Sequence, residues 1–385
     1  MHLNPDVTAI PGAPIAQAAS WIRKAPSNLP FINLSQAVPS YAPAPELRAE
    51  IARLAGLDET SGYTDVVGIA PLRQALAAKM AAGGDVTADD VAITAGCNQA
   101  FCAAVSALAG AGDNVILPVP WYFNHQMWLD MQGIGIRALA TDPATALPDP
   151  DAAAKLIDGR TRAIVLVTPN NPTGATYPPD LVETFFELAL SRGIALIVDE
   201  TYRDYLPPGS PPHRLFARAD WRRAFIQLYS FSKTYALAGY RVGSIVAGAE
   251  VIAAVEKLVD CMAICAPRIS QGAALYGVRH LDGWADGKRR LMDDRRASLI
   301  DAFALPGLRF SLVSCGAYFA WVRHPFGDAP GAAEALAKRL AHEQNMLLLP
   351  GSMFGPGQEQ FLRLAFANVE GALMADVARR FVAAQ

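Results

Sequence analysis

Charge is scarce in this chain: Asp, Glu, Lys and Arg make up 18% of its 385 residues, and they nearly cancel to a net charge of −3. No basic face is advertised, so nucleic acid and anionic membrane surfaces are not expected partners. Cysteine is sparse as well. Cys97, Cys102, Cys261, Cys265 and Cys315 are scattered, which excludes a disulfide framework. Cys261 and Cys265 share the spacing of one helix face, yet no C-x-x-C or H-E-x-x-H accompanies them and the six histidines are dispersed, so no metal site is expected. Long apolar runs are missing too. The least polar window, Ile93 to Gly112, is interrupted by Asn98, Gln99, Ser106 and glycines, and falls short of a membrane span. Asp6, Arg23, Lys24 and several prolines break up Met1 to Pro30, which therefore does not read as a leader peptide; the expected compartment is a reducing cytoplasm.

What the chain has in quantity is material for burial, 52% hydrophobic residues, and its length fits two or three domains, or one large domain with an appendage. Eight prolines between Pro5 and Pro45 suggest an extended arm with one helix near Ile15–Arg23 and a strand at Phe31–Leu34. Helices are predicted over Glu46–Leu54 and Leu72–Met80. From Val91 onward strands and helices alternate: strands at 91–94, 115–117, 134–139, 163–167 and 195–198, with helices over 99–108, 126–131 and 181–192. Ala163–Val167 is wholly apolar, as a parallel strand covered on both faces would be. Such alternation predicts an α/β fold with a mainly parallel sheet, whose ligands gather beyond the carboxyl ends of the strands. After residue 250 helices dominate, at 251–259, 270–280 and 288–303. The last eighty or so residues predict strands at 318–322, 346–349 and 361–365, with helices at 332–343 and 373–383. The expected division is an arm at 1–42 that joins the smaller unit, a large domain at 43–290 and a small α+β domain at 291–385.

Within that frame one lysine stands out. Lys233 lies in Ser230-Phe231-Ser232-Lys233-Thr234, between the apolar runs Phe225–Tyr229 and Val242–Ala247, with Arg241 following. An amine that forms Schiff bases has to be partly desolvated or near other positive charge, so that some of it is neutral at working pH. Three other strand ends carry polar residues. Gly96-Cys97-Asn98 lies between a strand and a helix, where free N–H groups and the helix dipole suit a phosphate. Thr168-Pro169-Asn170-Asn171-Pro172-Thr173-Gly174 has its path set by proline and glycine, which would aim the amide of Asn171. Asp199 directly follows a buried apolar strand, a costly place for a carboxylate unless a protonated ring nitrogen or strong donor meets it, and Tyr202 stands three residues on. An anion turn, a fixed amide, a carboxylate and a lysine together suit a phosphorylated aromatic aldehyde containing a ring nitrogen.

In this order and spacing, Asn-Pro-Thr-Gly, Asp-x-x-Tyr and Ser-x-Ser-Lys with the later Arg resemble the class I/II aminotransferases of pyridoxal-phosphate fold type I, from about Phe31 to Ala367. The resemblance implies pyridoxal 5'-phosphate as cofactor and a ping-pong transfer of an amino group between an L-amino acid and a 2-oxo acid. It implies that Lys233 is the Schiff-base lysine and proton shuttle, and that Asp199 pairs with the ring nitrogen. Asn171 and Tyr202 would reach the ring's phenolic oxygen, and Tyr122, rather than Trp121, would stack on the ring. Gly96, the amides of Cys97 and Asn98, and Ser230, Ser232 and Arg241 would hold the phosphate. Arg363, inside the apolar run Phe361–Phe366, would clamp the substrate carboxylate, for which its planar fork is suited. Tyr63 would reach the phosphate of a neighbouring subunit, implying a homodimer with shared sites. Ala37 stands where the family usually has glycine, and its methyl group narrows the site or changes how the substrate carboxylate meets the backbone. A second arginine for a dicarboxylate side chain cannot be placed, Arg268 being the nearest, so neutral or aromatic amino acids are expected over strict use of aspartate.

Three other readings compete. A carbon–sulfur β-lyase would use the same ring contacts, since substrate orientation decides which bond breaks. A regulator that senses the cofactor would need a DNA-binding unit, and the roughly forty proline-rich residues before Glu46 do not make a helix-turn-helix. A nicotinamide enzyme is suggested by Gly133-Ile134-Gly135-Ile136-Arg137-Ala138, but that stretch follows a helix and enters a strand, the reverse of what phosphate binding at a helix start needs.

Overall fold

The structure, a computed structural model, describes residues 1–22, 28–81 and 84–385. The first strand, β1 (Ile32–Asn33), is two residues long. Seven strands then build one sheet: β2 (Val91–Thr94), β3 (Asn114–Val119), β4 (Gly135–Ala140), β5 (Thr161–Val167), β6 (Ala195–Asp199), β7 (Phe225–Ser230) and β8 (Gly243–Val246). Their order is β2-β8-β7-β6-β5-β3-β4, and only β8 runs against its neighbours. The side-chain period of two sorts each strand between two cores. Leu196 and Val198 of β6 join Ile164, Leu166, Phe225 and Tyr229 on one face, under helices Pro45–Ala55, Ala70–Ala81, Pro179–Arg192 and Arg268–His280. Ala195 and Ile197 join Val115, Val165, Ile226 and Ile245 on the other, under Cys97–Ser106, Phe123–Met131 and Ala249–Ala263.

The helices follow from local rules. Pro179–Arg192 has proline in its first turn, buries Val182, Phe185, Phe186 and Ala189 as one stripe, and ends at Gly193 with φ of 64°, a left-handed cap open to glycine at little cost. The arm differs from its extended expectation in one place. Pro5–Thr8 is a helical turn, because Pro5 supplies a preset φ and the Asn4 side chain accepts the Asp6 N–H at 3.0 Å. The expected arm helix is present as Pro14–Ile22, and its predicted end at Arg23 lies outside the described residues. Helix Asp282–Phe303 runs without a break through the position where the large and small domains were expected to meet.

A second, antiparallel sheet contains β9 (Ser311–Gly316), β10 (Phe319–Arg323), β12 (Leu349–Pro350) and β13 (Phe361–Ala365), in the order β12-β13-β10-β9. The predicted strand at 346–349 is split, since β11 (Met346–Leu347) pairs instead with β1 in parallel. β9 escapes prediction: Ser311-Leu312-Val313-Ser314-Cys315-Gly316 is half-exposed and lacks an apolar run. The arm shares this core, with Ala18, Trp21, Ile32 and Leu34 packed among Leu340, Leu347, Leu349 and Phe381. Between the two sheets the chain comes very close. Gly174 has φ of +75°, and a Cβ there would meet the Gly316 backbone at 2.6 Å, so only glycine fits. Among the described residues no helix is long and apolar enough to cross a membrane.

Buried Arg380 ties the arm to this second unit. Its Nη1 donates to the carbonyls of Pro30 and Gln344, both at 2.7 Å, while Nε donates to Asp376 at 2.9 Å. Replacing it with alanine leaves several buried acceptors without donors. We expect Arg380→Ala to cost about 2–4 kcal/mol and to lower the thermal midpoint by several degrees, measured by calorimetry. An unchanged midpoint would contradict the assigned role.

Candidate active site

The carboxyl ends of β2, β3, β5, β6 and β7 open on one cavity of about 400 Å³, closed on its far side by β13 and the segment after β1. β8 runs the other way, so its amino end stands at the same edge, with Gly243 paired to Thr94 and Ser230. Arg241, two residues before Gly243, thus arrives where the other strands deliver their carboxyl ends. Its backbone is left-handed, φ of 51°, a conformation that costs a non-glycine residue on the order of 1 kcal/mol.

Helix Cys97–Ser106 begins two residues earlier than its sequence suggested, with Gly96 as the residue before its first turn. The amides of Cys97 and Asn98 therefore belong to the first turn and have no carbonyl inside the helix to bond. Gly96 has φ of 86°, and a side chain there would run into the guanidinium of Arg241. Glycine at 96 and arginine at 241 are thus one requirement: together they make a cationic seat at a helix start. Ser230 caps the short helix Phe231–Thr234, accepting the Ser232 N–H at 3.2 Å, and Ser232 also faces the cavity.

Lys233 projects into the cavity from that short helix, and its Nζ donates to the Ala37 carbonyl. Burial pushes its pKa down to about 8, the charges of Arg363 and Arg241 push the same way, and Asp199 opposes them. Asp199 ends β6 under the cavity floor. Its Oδ1 accepts the Thr201 N–H at 2.9 Å and the Cys97 thiol at 3.6 Å, and His125 Nε2 lies 3.4 Å from Oδ2. Burial alone would raise this carboxyl, but the contacts from His125 and Thr201 outweigh it and hold the group below the ordinary range.

Asn170 organises its own turn, its Oδ1 accepting the Thr173 N–H at 3.1 Å and hydroxyl at 2.9 Å. That leaves Asn171 facing the cavity, where its Oδ1 accepts Arg363 Nη1 at 3.0 Å. Arg363 is buried in the middle of the second sheet. Its Nη2 donates to the Ser35 carbonyl, Phe319 and Phe354 cover its faces at 4.9 Å, and its Nε–H has no partner. Burial lowers its pKa to about 10, so it is still a cation at neutral pH, with its Nε–H unpaired. Tyr202 packs against Phe319 and Tyr318, and among the described residues no group bonds its hydroxyl. The Tyr122 hydroxyl lies 3.4 Å from Asn98 Oδ1, and its ring meets His125 edge-on.

The cavity wall thus includes Ala37, Cys97, Asn98, Tyr122, Asn171, Asp199, Tyr202, Ser230, Ser232, Lys233, Arg241 and Arg363. Trp121 is not part of it, and Gly96 acts from just behind it. Tyr63 is elsewhere, 75% exposed. Arg268 is also outside, 3.3 Å from Glu59. Cys265 lies beyond the helix that carries Cys261, so the two do not share a helix face as their spacing suggested; Cys265 accepts the Thr64 N–H at 3.5 Å. Gly135–Ala140 is an edge strand of the large sheet, in agreement with discarding the nicotinamide reading.

Several residues of the site escaped the sequence reading, His125 from beneath the floor and others in the wall. His125 stacks on Phe101 with centroids 3.8 Å apart; its position one helical turn beyond Tyr122 was an available signal. Ala13, Pro14 and Ile15 of the arm line the cavity, as do Phe123 and Asn124, while Gln36 and Val38 line it from either side of Ala37. No local pattern marks them.

An amine poised for the neutral form, an anion seat, a paired carboxylate at the floor, and an unpaired guanidinium N–H opposite a free phenol fit a flat anionic aldehyde with a basic ring nitrogen. Comparison with known proteins agrees. The chain matches the family model described as "Aminotransferase class I and II" over residues 30–381. It is 29% identical to the aromatic aminotransferase ISS1 of Arabidopsis thaliana, covering 91% of this chain and 88% of that one. It is 33% identical to the arginine–pyruvate transaminase AruH of Pseudomonas aeruginosa, covering 84% and 81%. A solved Thermus thermophilus aspartate aminotransferase superposes over the full length of both chains with a TM-score of 0.89 at 24% identity, which speaks to the fold.

The nucleophile is the neutral amine, so capture of an aromatic aldehyde at Lys233, trapped by borohydride, should rise with pH around a midpoint near 8. An unperturbed lysine would give about 10.4. Arg363→Leu removes a charge that favours the neutral form and should move the midpoint upward. A wild-type midpoint above about 10 would contradict this account.

Proposed function

Since the chain belongs to the class I and II aminotransferases, we propose how its residues divide the work of a pyridoxal-phosphate-dependent transamination. The enzyme class and the cofactor follow from the family, and the aminotransferases among its relatives favour transamination over carbon–sulfur elimination. When bound, the cofactor's ring accepts the electron pair left behind as the substrate's Cα proton departs. Everything else falls to the protein. Lys233 would hold the cofactor through its amine and would carry the proton to and from Cα. Asp199, held ionised by His125 and Thr201, keeps the ring nitrogen protonated. Asn171 has committed its oxygen to Arg363, which leaves its N–H₂ to donate to the phenolic oxygen beside Tyr202. Tyr122 covers the ring. Arg241, the first-turn amides of Cys97 and Asn98, Ser230 and Ser232 hold the phosphate, and Gly96 makes room for them. Arg363 receives the substrate carboxylate on its unpaired edge. Ala37 bounds the substrate space, its carbonyl engaged by the lysine.

The donor class follows from the rest of the wall. Lys233, Arg241 and Arg363 are its cations, and each has a task. Ala13, Pro14, Ile15, Val38 and Phe123 are apolar and Gln36 and Asn124 uncharged, so a neutral or aromatic side chain fits best. A homodimer is part of the same proposal. Tyr63 is exposed, its neighbour Thr64 donates to Cys265, and Met262 and Ile264 shortly before that cysteine are 42% and 40% exposed; a second copy would cover them and bring its phosphate within reach of Tyr63. The two sheets and their separate buried clusters support the division into an arm at 1–42, a large unit at 43–290 and a smaller one at 291–385. Five unpaired cysteines suit a reducing cytoplasm.

The lowered pKa of Lys233 among the residues that face it carries the reading. The cofactor's visible absorption should bleach when a neutral or aromatic amino acid is added and return with pyruvate or 2-oxoglutarate. Lys233→Ala should lose turnover by at least about a thousandfold. An absorption band that no amino acid alters, or a Lys233→Ala enzyme with full turnover, would sink the proposal; ammonia and pyruvate released from cystathionine without any oxo acid would move it to the lyase.

A further inference from the structure

Behind the cavity three phenol hydroxyls from distant parts of the chain meet. Tyr41 Oη lies 3.1 Å from Tyr205 Oη and 3.4 Å from Tyr318 Oη, and Tyr318 donates to Tyr205 at 3.0 Å. Tyr205 in turn donates to the backbone carbonyl of Lys233 at 2.9 Å. A phenol has a single hydrogen. With that of Tyr205 committed to Lys233, its oxygen has to accept, so the donors run inward from Tyr41 and Tyr318. Burial raises the pKa of all three, so each keeps the hydrogen the chain requires.

The three phenols belong to different parts of the fold. Tyr41 lies on the segment after β1 that bounds the cavity with Gln36, Ala37 and Val38. Tyr205 lies on the turn after β6, just past Tyr202. Tyr318 is in the turn between β9 and β10 of the second sheet. The backbone next to Lys233 is fixed separately, because Asp204 accepts the Tyr229 hydroxyl at 2.5 Å and the Thr234 hydroxyl at 2.6 Å, with Lys79 Nζ 3.6 Å away. The segment ending at Tyr41 has its own anchors. Arg295 Nη1 donates to Ser40 at 2.9 Å, the Trp284 ring meets Tyr41 edge-on at 5.6 Å, and Lys288 Nζ sits 4.4 Å above it. Four residues before Tyr41, the Ala37 carbonyl receives the lysine's amine. One short segment therefore touches Lys233 at both ends, through Ala37 on the side chain and through the phenols on the peptide.

We propose that Tyr41, Tyr318 and Tyr205 form a positioning relay that sets the placement of Lys233 according to whether the 35–41 segment is docked. The proposal rests on Lys233 being the reactive amine. None of the three phenols touches the cavity, and their action is through the lysine. The alternative is ordinary packing, in which each hydroxyl merely satisfies its neighbours.

The first test uses protein freed of cofactor. In Tyr41→Phe, hydrogen exchange at the amides of Tyr235 and Ala236, which close on Phe231 and Lys233, should be faster by about 3- to 10-fold, the effect of losing one neutral hydrogen bond. The second uses the loaded enzyme. Tyr41→Phe and Tyr205→Phe should each lower kcat by a similar factor, and the double variant should fall no more than about twofold below the worse single one. Tyr318→Phe replaces Tyr205→Phe if the latter does not fold. Exchange at 235 and 236 that ignores Tyr41, or kcat losses that multiply, would overturn the relay. A Lys233→Ala enzyme with full turnover would instead overturn the assignment of the amine and leave the exchange result standing.

Discussion

A single amine has to remain partly neutral inside a cavity that it shares with two arginines and a carboxylate. Desolvation does most of this and the arginines add to it, while Asp199 pulls the other way. The balance depends on where the opposing charges are held. Asp199 is kept low by contacts beneath the floor, so its charge is steady without resting against the amine. Arg363 is buried between two phenyl faces and an amide, so its charge is fixed in place from the second sheet. Much of the architecture serves to place these groups: two sheets, the close approach at Gly174 and Gly316, and an arm packed into the second core.

The parallel sheet was legible because strands buried on both faces are written as unbroken apolar runs. Ala163–Val167 and Ala195–Val198 could hardly be anything else, and the polar residues that follow them stand out for the same reason. Boundaries were less legible where caps decide them. The helix at Cys97 starts early because Gly96 takes a left-handed backbone that only the approach of Arg241 explains. The second sheet was harder still. β9 is half-exposed and carries no apolar stretch, and Met346–Leu349 reads as one strand although its two halves pair in different sheets. Pairing of that kind is set by distant partners.

The site shows the same division. Lys233, Asp199, Asn171, Arg241 and Arg363 were legible because each is a polar residue in a place where burial makes it expensive. His125 was not, since a histidine on an amphipathic helix is unremarkable until Asp199 is seen beneath it. Ala13 to Ile15 and Val38 are small or apolar residues in a proline-rich arm, and nothing local distinguishes a wall from a linker. The parts that meet the shared chemistry were readable, and the parts that meet the substrate were scattered.

The reversed direction of β8 has one more consequence. The strands β2, β3 and β5 each deliver a site residue at an end from which the chain then departs through a loop and a helix, so an insertion in those crossovers can be taken up far from the cavity. Between Ser230 and Gly243 there is no such slack, since both ends of the stretch are paired to each other at the cavity edge. Lys233 and Arg241 are therefore bound to one ruler. One residue added or lost in this stretch would change the distance between the amine and the anion seat.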